Sequence, residues 1–164
     1  MKEGTDTREH LFELLRDFDT TMLVTIDNDG GLHARPMRVA SLEADGDTYL
    51  VTSAESPKVA EVKEYPQVTL TFQGNDQYAA LRGRATVVRD RKLVEQLWKE
   101  PWKLWFPKGK DDPSIVFLRF EAESGEYWDN SGMQGIKYAF SAAKSFAKGE
   151  RPPTDEDQHA RLRL

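Results

Sequence analysis

The chain has 164 residues, 38% hydrophobic and 31% charged, which suits one domain large enough to bury a real core. Its formal net charge of -5 argues against a general binder of nucleic acid or of anionic membranes. The absence of cysteine removes disulfides, thiolate metal sites and cysteine nucleophiles. The first residues lack the apolar core of a signal peptide, and no apolar run approaches the length of a membrane span, so a cytoplasmic protein is expected.

In chain order, Leu11, Leu14, Leu15 and Phe18 recur at helical spacing within residues 5–18, with Thr5 or Asp6 placed to cap that helix. Residues 20–27, rich in Thr, Val and Ile, predict a strand. Asn28-Asp29-Gly30-Gly31 predicts a turn, and residues 32–42 a longer strand. Pro36 lies inside that second strand. Proline removes a ladder donor, so it marks an edge or a bulge and leaves the backbone of Arg35 and Met37 free to face something other than a strand. Arg35 and Arg38 bring positive charge to the same place, although solvated arginines on an edge strand would give the same pattern.

Residues 48–63 hold the most informative stretch. Tyr49-Leu50-Val51 is a short apolar strand pattern that should end near Ser53, and a helix should begin near Pro57 with Ser56 as its cap. A helix start carries free N–H groups and partial positive charge that suit an anion. Lys58 would sit in the first turn, where the helix dipole disfavours a cation and a bound phosphate would reverse that penalty. A plain cap with a solvated lysine is the other reading.

Tyr65-Pro66 ends that helix. Residues 67–73 alternate, with Val68, Leu70 and Phe72 on one side, and Gly74-Asn75-Asp76 turns the chain into a long strand over 77–89 in which Gly83 suggests a bulge. Asp90 caps a helix over 90–99 with Leu93, Val94 and Leu97 facing inward, and Pro101 interrupts it. Trp98, Trp102, Trp105 and Phe106 then crowd one segment, either as packed core or as a flat platform for a ring system or a partner chain. A last long strand lies within 113–127, a helix over 134–148, a polar linker over 150–157, and a short strand over 159–164. Residues 1–148 are thus expected to form a single domain, and 149–164 a linker plus terminal strand. Successive antiparallel strands with tight turns predict a mainly β fold, a small closed barrel with flanking helices.

Nucleotide-loop, dinucleotide-glycine, zinc-protease and hydrolase nucleophile motifs are all missing. His10, His33 and His159 show no ligand spacing, so no metal site is expected. An enzyme built this way would need a cofactor for difficult chemistry.

Five stretches together resemble the flavin-binding split barrels related to pyridoxamine 5'-phosphate oxidase, of the general stress protein 26 type. They are Thr21-Met22-Leu23-Val24-Thr25, Ala34-Arg35-Pro36-Met37, Tyr49 through Lys58, Leu81-Arg82-Gly83-Arg84-Ala85, and Tyr127-Trp128. The resemblance implies a six-stranded antiparallel split barrel, a homodimer, and two FMN sites at its interface, with FAD as the larger alternative. It implies that Arg35, Pro36 and Met37 border the isoalloxazine largely through backbone, that Thr52 and Ser53 follow the ring and ribityl chain, and that Ser56 and Lys58 hold the phosphate. Gln73 would be a further contact, and Trp105, Phe106 and Trp128 would come from the partner subunit or from the site rim. Two departures matter. Pro57 stands where oxidases of the family commonly have arginine, and residues 158–164 do not match their substrate-completing segment. The expected function is therefore a flavin-dependent oxidoreductase of unknown substrate in a stress role, with vitamin B6 oxidation not carried over. The alternatives are a flavin-binding or flavin-sensing protein without turnover, and the same barrel holding haem or a deazaflavin. Neither nucleic acid nor membrane is expected as a partner.

Overall fold

In a computed structural model that describes residues 3–151 and 159–164, the strands form one seven-stranded antiparallel sheet. Helix α1 (Glu3–Arg16) leads into β1 (Thr20–Ile26), β2 (Leu32–Leu42) and β3 (Thr48–Ser53). Helix α2 (Pro57–Glu64) precedes β4 (Gln67–Gly74) and β5 (Gln77–Val88). Helix α3 (Arg91–Leu97) and two short 3-10 turns lead to β6 (Ile115–Asp129), followed by α4 (Gly132–Lys148) and β7 (His159–Arg163). The strand order is β3-β2-β1-β4-β5-β6-β7, and β3 also pairs with β6. That extra pairing closes six strands into a barrel and leaves β7 as an added strand. The 15 residues of β6 make this feasible: its first part pairs with β3 and residues 124–128 pair with β7.

The expected elements stand close to their expected bounds. Helix α1 starts two residues before Thr5, so Thr5 and Asp6 lie inside it rather than at its cap. Most of the linker expected over 150–157 lies outside the described residues. The barrel interior follows from strand alternation, which puts every second side chain on one face. Val68, Leu70 and Phe72 of β4 meet Leu23 of β1 and Leu81 of β5, and Leu11, Leu14 and Leu15 of α1 join the same core. A second, smaller core forms on the outer face, where Val94, Trp102 and Phe106 cover Val51, Ile115 and Phe117. Trp98 and Trp102 meet edge to face at 5.8 Å, so this half of the aromatic segment is packing.

The register of β5 against β6 shifts between Arg82 and Gly83, the bend anticipated at this glycine. A Cβ on Gly83 would lie 2.0 Å from the Glu121 carbonyl oxygen, a backbone atom that cannot move without disturbing the ladder. Gly83→Ala should therefore destabilise the fold by about 1–3 kcal/mol, the usual range for overpacking. Urea unfolding of both proteins checks this; an unchanged midpoint would mean that the barrel can absorb the methyl group.

Candidate functional site

β2 and β3 pair only over their distal ends, residues 39–42 against 48–50, with an irregularity between Val39 and Ser41. Before that point the described part of β2 pairs with β1, while residues 51–53 of β3 pair with β6. The two strands part, and the gap between them is where the cavity lies. Val39 N–H donates to Asp19 O at 3.0 Å, so strand alternation turns the N–H groups of Met37 and Arg35 toward β1 as well. The split therefore faces the backbone of Pro36 and Arg38. This corrects the expectation for Arg35 and Met37 by one residue: their backbone is held in the β1 ladder. Proline fits here because its missing N–H is on the unpaired side.

The cavity measures about 480 Å³, within the range of roughly 300–1,000 Å³ usual for small-molecule sites. Pro36, Met37 and Arg38 form one wall, and Val51, Thr52 and Ser53 the other. Ser56 and Lys58 close one side from the start of α2, and Trp105 and Phe106 another from the aromatic segment. Ser56 has the extended backbone of a cap, yet its hydroxyl makes no capping bond. It accepts instead from Lys58 Nζ at 2.6 Å, and Lys58 also reaches Thr52 Oγ1 at 3.3 Å. Burial pulls the Lys58 pKa below the ordinary lysine value, the neighbouring Arg35 charge adds to that, and Glu61 opposes it. Among the described residues no carboxylate pairs with Lys58, so the cavity presents an ammonium with only neutral hydroxyl partners.

Arg35 is treated differently. Its guanidinium turns to the same side as Met37 and donates to Glu61 Oε2 at 2.6 Å and to Thr25 Oγ1, with His33 Nδ1 also 2.7 Å away. Thr25 Oγ1 in turn donates to Glu61 Oε2 at 2.6 Å. Burial alone would push the Glu61 carboxyl up, but the bonds from Thr25 and Arg35, the Arg35 charge and His33 outweigh it and hold the pKa below the glutamate norm. This pair ties β2 to α2 and does not line the cavity.

Of the residues singled out in the sequence, Pro36, Met37, Thr52, Ser53, Ser56, Lys58, Trp105 and Phe106 meet at the cavity. Trp105 is 51% exposed, with the Arg38 guanidinium 6.0 Å from its ring centre. Gln73 and Trp128 lie elsewhere, together: Gln73 pairs with Tyr78, and Tyr78 with Trp128. Trp128 pairs with His159 and stacks on it at 5.1 Å, so the four side chains form one row across β4 to β7. Thr20 and Val51 line the cavity without having been singled out. The register opposite Arg38, whose Nη1 donates to Thr20 Oγ1 at 3.3 Å, is the only signal for Thr20, and it exists only once β1 and β2 are paired.

A split barrel with a cavity between its parted strands defines a fold class that comparison with known proteins makes specific. The pyridoxamine 5'-phosphate oxidase like family matches residues 6–153, and the chain belongs to that family. It is 30% identical over 124 residues to general stress protein 26 of Bacillus subtilis, across 72% of this chain and 85% of that protein. Among solved structures, the general stress FMN/FAD binding protein of Xanthomonas citri is 28% identical with a TM-score of 0.65, covering 78% of this chain and 92% of that one. A Jannaschia protein at 23% identity shares the fold over 98% of this chain and 99% of its own, with a TM-score of 0.76.

Glu61→Gln should leave the partly buried Arg35 without its counter-charge and cost about 1–3 kcal/mol, the range for leaving one partner of a hydrogen-bonded pair unsatisfied. Because the folded Glu61 pKa is depressed, the wild-type advantage should be complete above the unfolded value of about 4.3 and vanish as pH falls through the lower folded value. Urea midpoints of both proteins from pH 7 to pH 3 test this; equal midpoints at pH 7 would show that the pair does not fasten α2.

Proposed function

We propose that the chain binds FMN in the cavity between β2 and β3, as a homodimeric, cytoplasmic flavoprotein of the general stress type, and uses it for redox turnover. The observation that carries this reading is Lys58, a half-buried ammonium with neutral partners, set beside Ser56 and the start of α2. Free N–H groups at a helix start together with a lysine suit a phosphate. The split supplies what a planar ring requires: unpaired backbone at Pro36 and Arg38 on one side, Thr52 and Ser53 on the other, and the apolar faces of Phe106 and Trp105. When bound, FMN supplies one- and two-electron transfer. The residues of this chain bind its phosphate, hold the ring plane and shield one face from water. The naming of the Xanthomonas citri relative for FMN/FAD binding supports the same reading, and FMN is favoured over FAD because the phosphate partners close one side of the cavity.

Homodimerisation is supported by the division of the expected flavin contacts into two groups. Gln73 and Trp128 share a row on the sheet away from the cavity, so one chain's row would complete the other chain's cavity across a two-fold axis. A flavin-binding protein without turnover is the second reading, favoured by the lack of any His, Asp, Glu or Tyr among the cavity-lining residues. Anaerobic bleaching of the bound flavin by NAD(P)H and recovery in air would separate the two, and the absorption spectrum of the purified protein would identify haem or a deazaflavin at once.

Lys58→Ala should weaken FMN about 10- to 100-fold, because a charge-assisted bond contributes roughly 1.5–3 kcal/mol. Riboflavin, which has no phosphate, should lose far less. Fluorescence titration of wild type and variant with both ligands reads this directly. Equal losses for the two would place the phosphate away from Lys58 and refute the orientation proposed here.

A further inference from the structure

Helix α4 is built with its apolar side outward. Over Gly132–Lys148, helical spacing gathers Ile136, Ala139, Phe140, Ala143 and Phe146 on one face, with Lys137, Lys144 and Lys148 along one flank. In the structure Ile136 is 64% exposed, Phe140 76% and Phe146 88%, whereas Ser145 is buried. A helix normally turns its apolar stripe to the core, since packing of that stripe supplies most of its stability. Here Ser145, on the opposite side, is the buried residue among those described.

Both ends of the helix are held by hydrogen bonds. Asp129 is buried at the end of β6, where its Oδ1 accepts from Ser131 N at 3.0 Å and Ser131 Oγ at 2.6 Å, and its Oδ2 meets His10 Nε2 at 2.9 Å. Gly149 closes the other end at φ 68°, with its N–H donating to Phe146 O and Glu150 N–H to Ser145 O. The sheet brackets the helix as well, because Trp128 before it and His159 after it are paired neighbours.

We infer that the Ile136–Phe140–Phe146 face of α4 docks on a second copy of this chain, on that copy's acidic body rather than on its α4. This rests on the dimer proposed above and names the element that builds it. Charge decides the occupant. Helix α4 carries three lysines and no carboxylate, while the chain as a whole has a formal net charge of -5, so all of the net negative charge resides outside the helix. Two such helices side by side would repel, and a helix on the body of the partner is attracted. The same balance disfavours an anionic bilayer, which the acidic body would oppose. Position agrees: α4 begins four residues after Trp128, the residue whose row would meet the partner's cavity. A 17-residue helix is about 25 Å long, so its outward face offers a partner an extended strip.

The test uses the full chain in three forms: wild type, Phe140→Ser with Phe146→Ser, and Lys137→Glu with Lys144→Glu and Lys148→Glu. Sedimentation velocity at micromolar concentration gives the state, thermal melting of the barrel confirms folding, and flotation with phosphatidylglycerol vesicles probes the membrane alternative. A wild-type dimer is expected, with at least a tenfold rise in its dissociation constant in both variants and an unchanged barrel. Folded variants that remain dimers as tight as wild type would overturn the role of α4 while leaving the dimer in place. A wild-type monomer would overturn the dimer itself, and vesicle binding that needs Phe140 and Phe146 while the dimer persists would assign the face to lipid instead.

Discussion

The parting of β2 from β3 is the constraint on which the rest of the structure depends. A closed barrel satisfies every ladder group, and opening it leaves backbone donors and acceptors without partners, at a cost if they are buried. This chain opens the barrel at one place and limits the cost on both sides. On β2, Pro36 removes a donor that would otherwise point into the gap. On β3, residues 51–53 keep their other edge fully paired with β6. The length of β6 follows from that need, since it must serve β3 first and β7 afterwards. The second core, with Trp102 and Phe106 at its centre, then covers the outer face of β3 and β6 and brings Trp105 to the mouth of the gap.

Charge around the gap is sorted by one short helix. Lys58 and Glu61 are three residues apart on α2, a spacing at which opposite charges can pair. Glu61 reaches inward to Arg35 and Thr25, which neutralises the arginine and pins α2 to β2. Lys58 is left to the cavity with only hydroxyl partners. Had Glu61 paired with Lys58 instead, the cavity would keep only the Arg38 charge and Arg35 would lose its carboxylate partner. The bonds of Glu61 to Arg35 and Thr25 therefore set which cation is structural and which faces the cavity.

Much of this was legible in the sequence, for reasons that differ from element to element. Alternation in β4 and the turn residues after it are local signals, and Val68, Leu70 and Phe72 are buried as that pattern requires. The Ser56-Pro57 start of α2 is equally local. Pro36 announced an edge, but which neighbour's backbone faces the gap depends on hydrogen-bond parity with β1, and a linear pattern does not carry parity. The partner of Arg35 was not legible either, because Glu61 lies 26 residues away and reads as one more charge on a helix. The outward face of α4 was invisible for a related reason: periodicity reports that a helix has an apolar side, not which way it turns.

What the cavity lacks limits its chemistry as much as what it holds. The charged side chains among its lining residues are Arg38 and Lys58, and no carboxylate, imidazole or phenol joins them. Arginine stays protonated at any working pH. Burial lowers the Lys58 pKa, but an anion beside it would raise that pKa and fix the ammonium form. If Lys58 holds a phosphate as proposed, the lining residues of one chain offer no other group to exchange protons with a substrate near neutral pH. Proton transfer in turnover would then fall to solvent, to the bound ring or to the second chain. On that reading the protein's own contribution would reduce to placement, charge and shielding, which suits direct electron or hydride exchange better than acid–base chemistry.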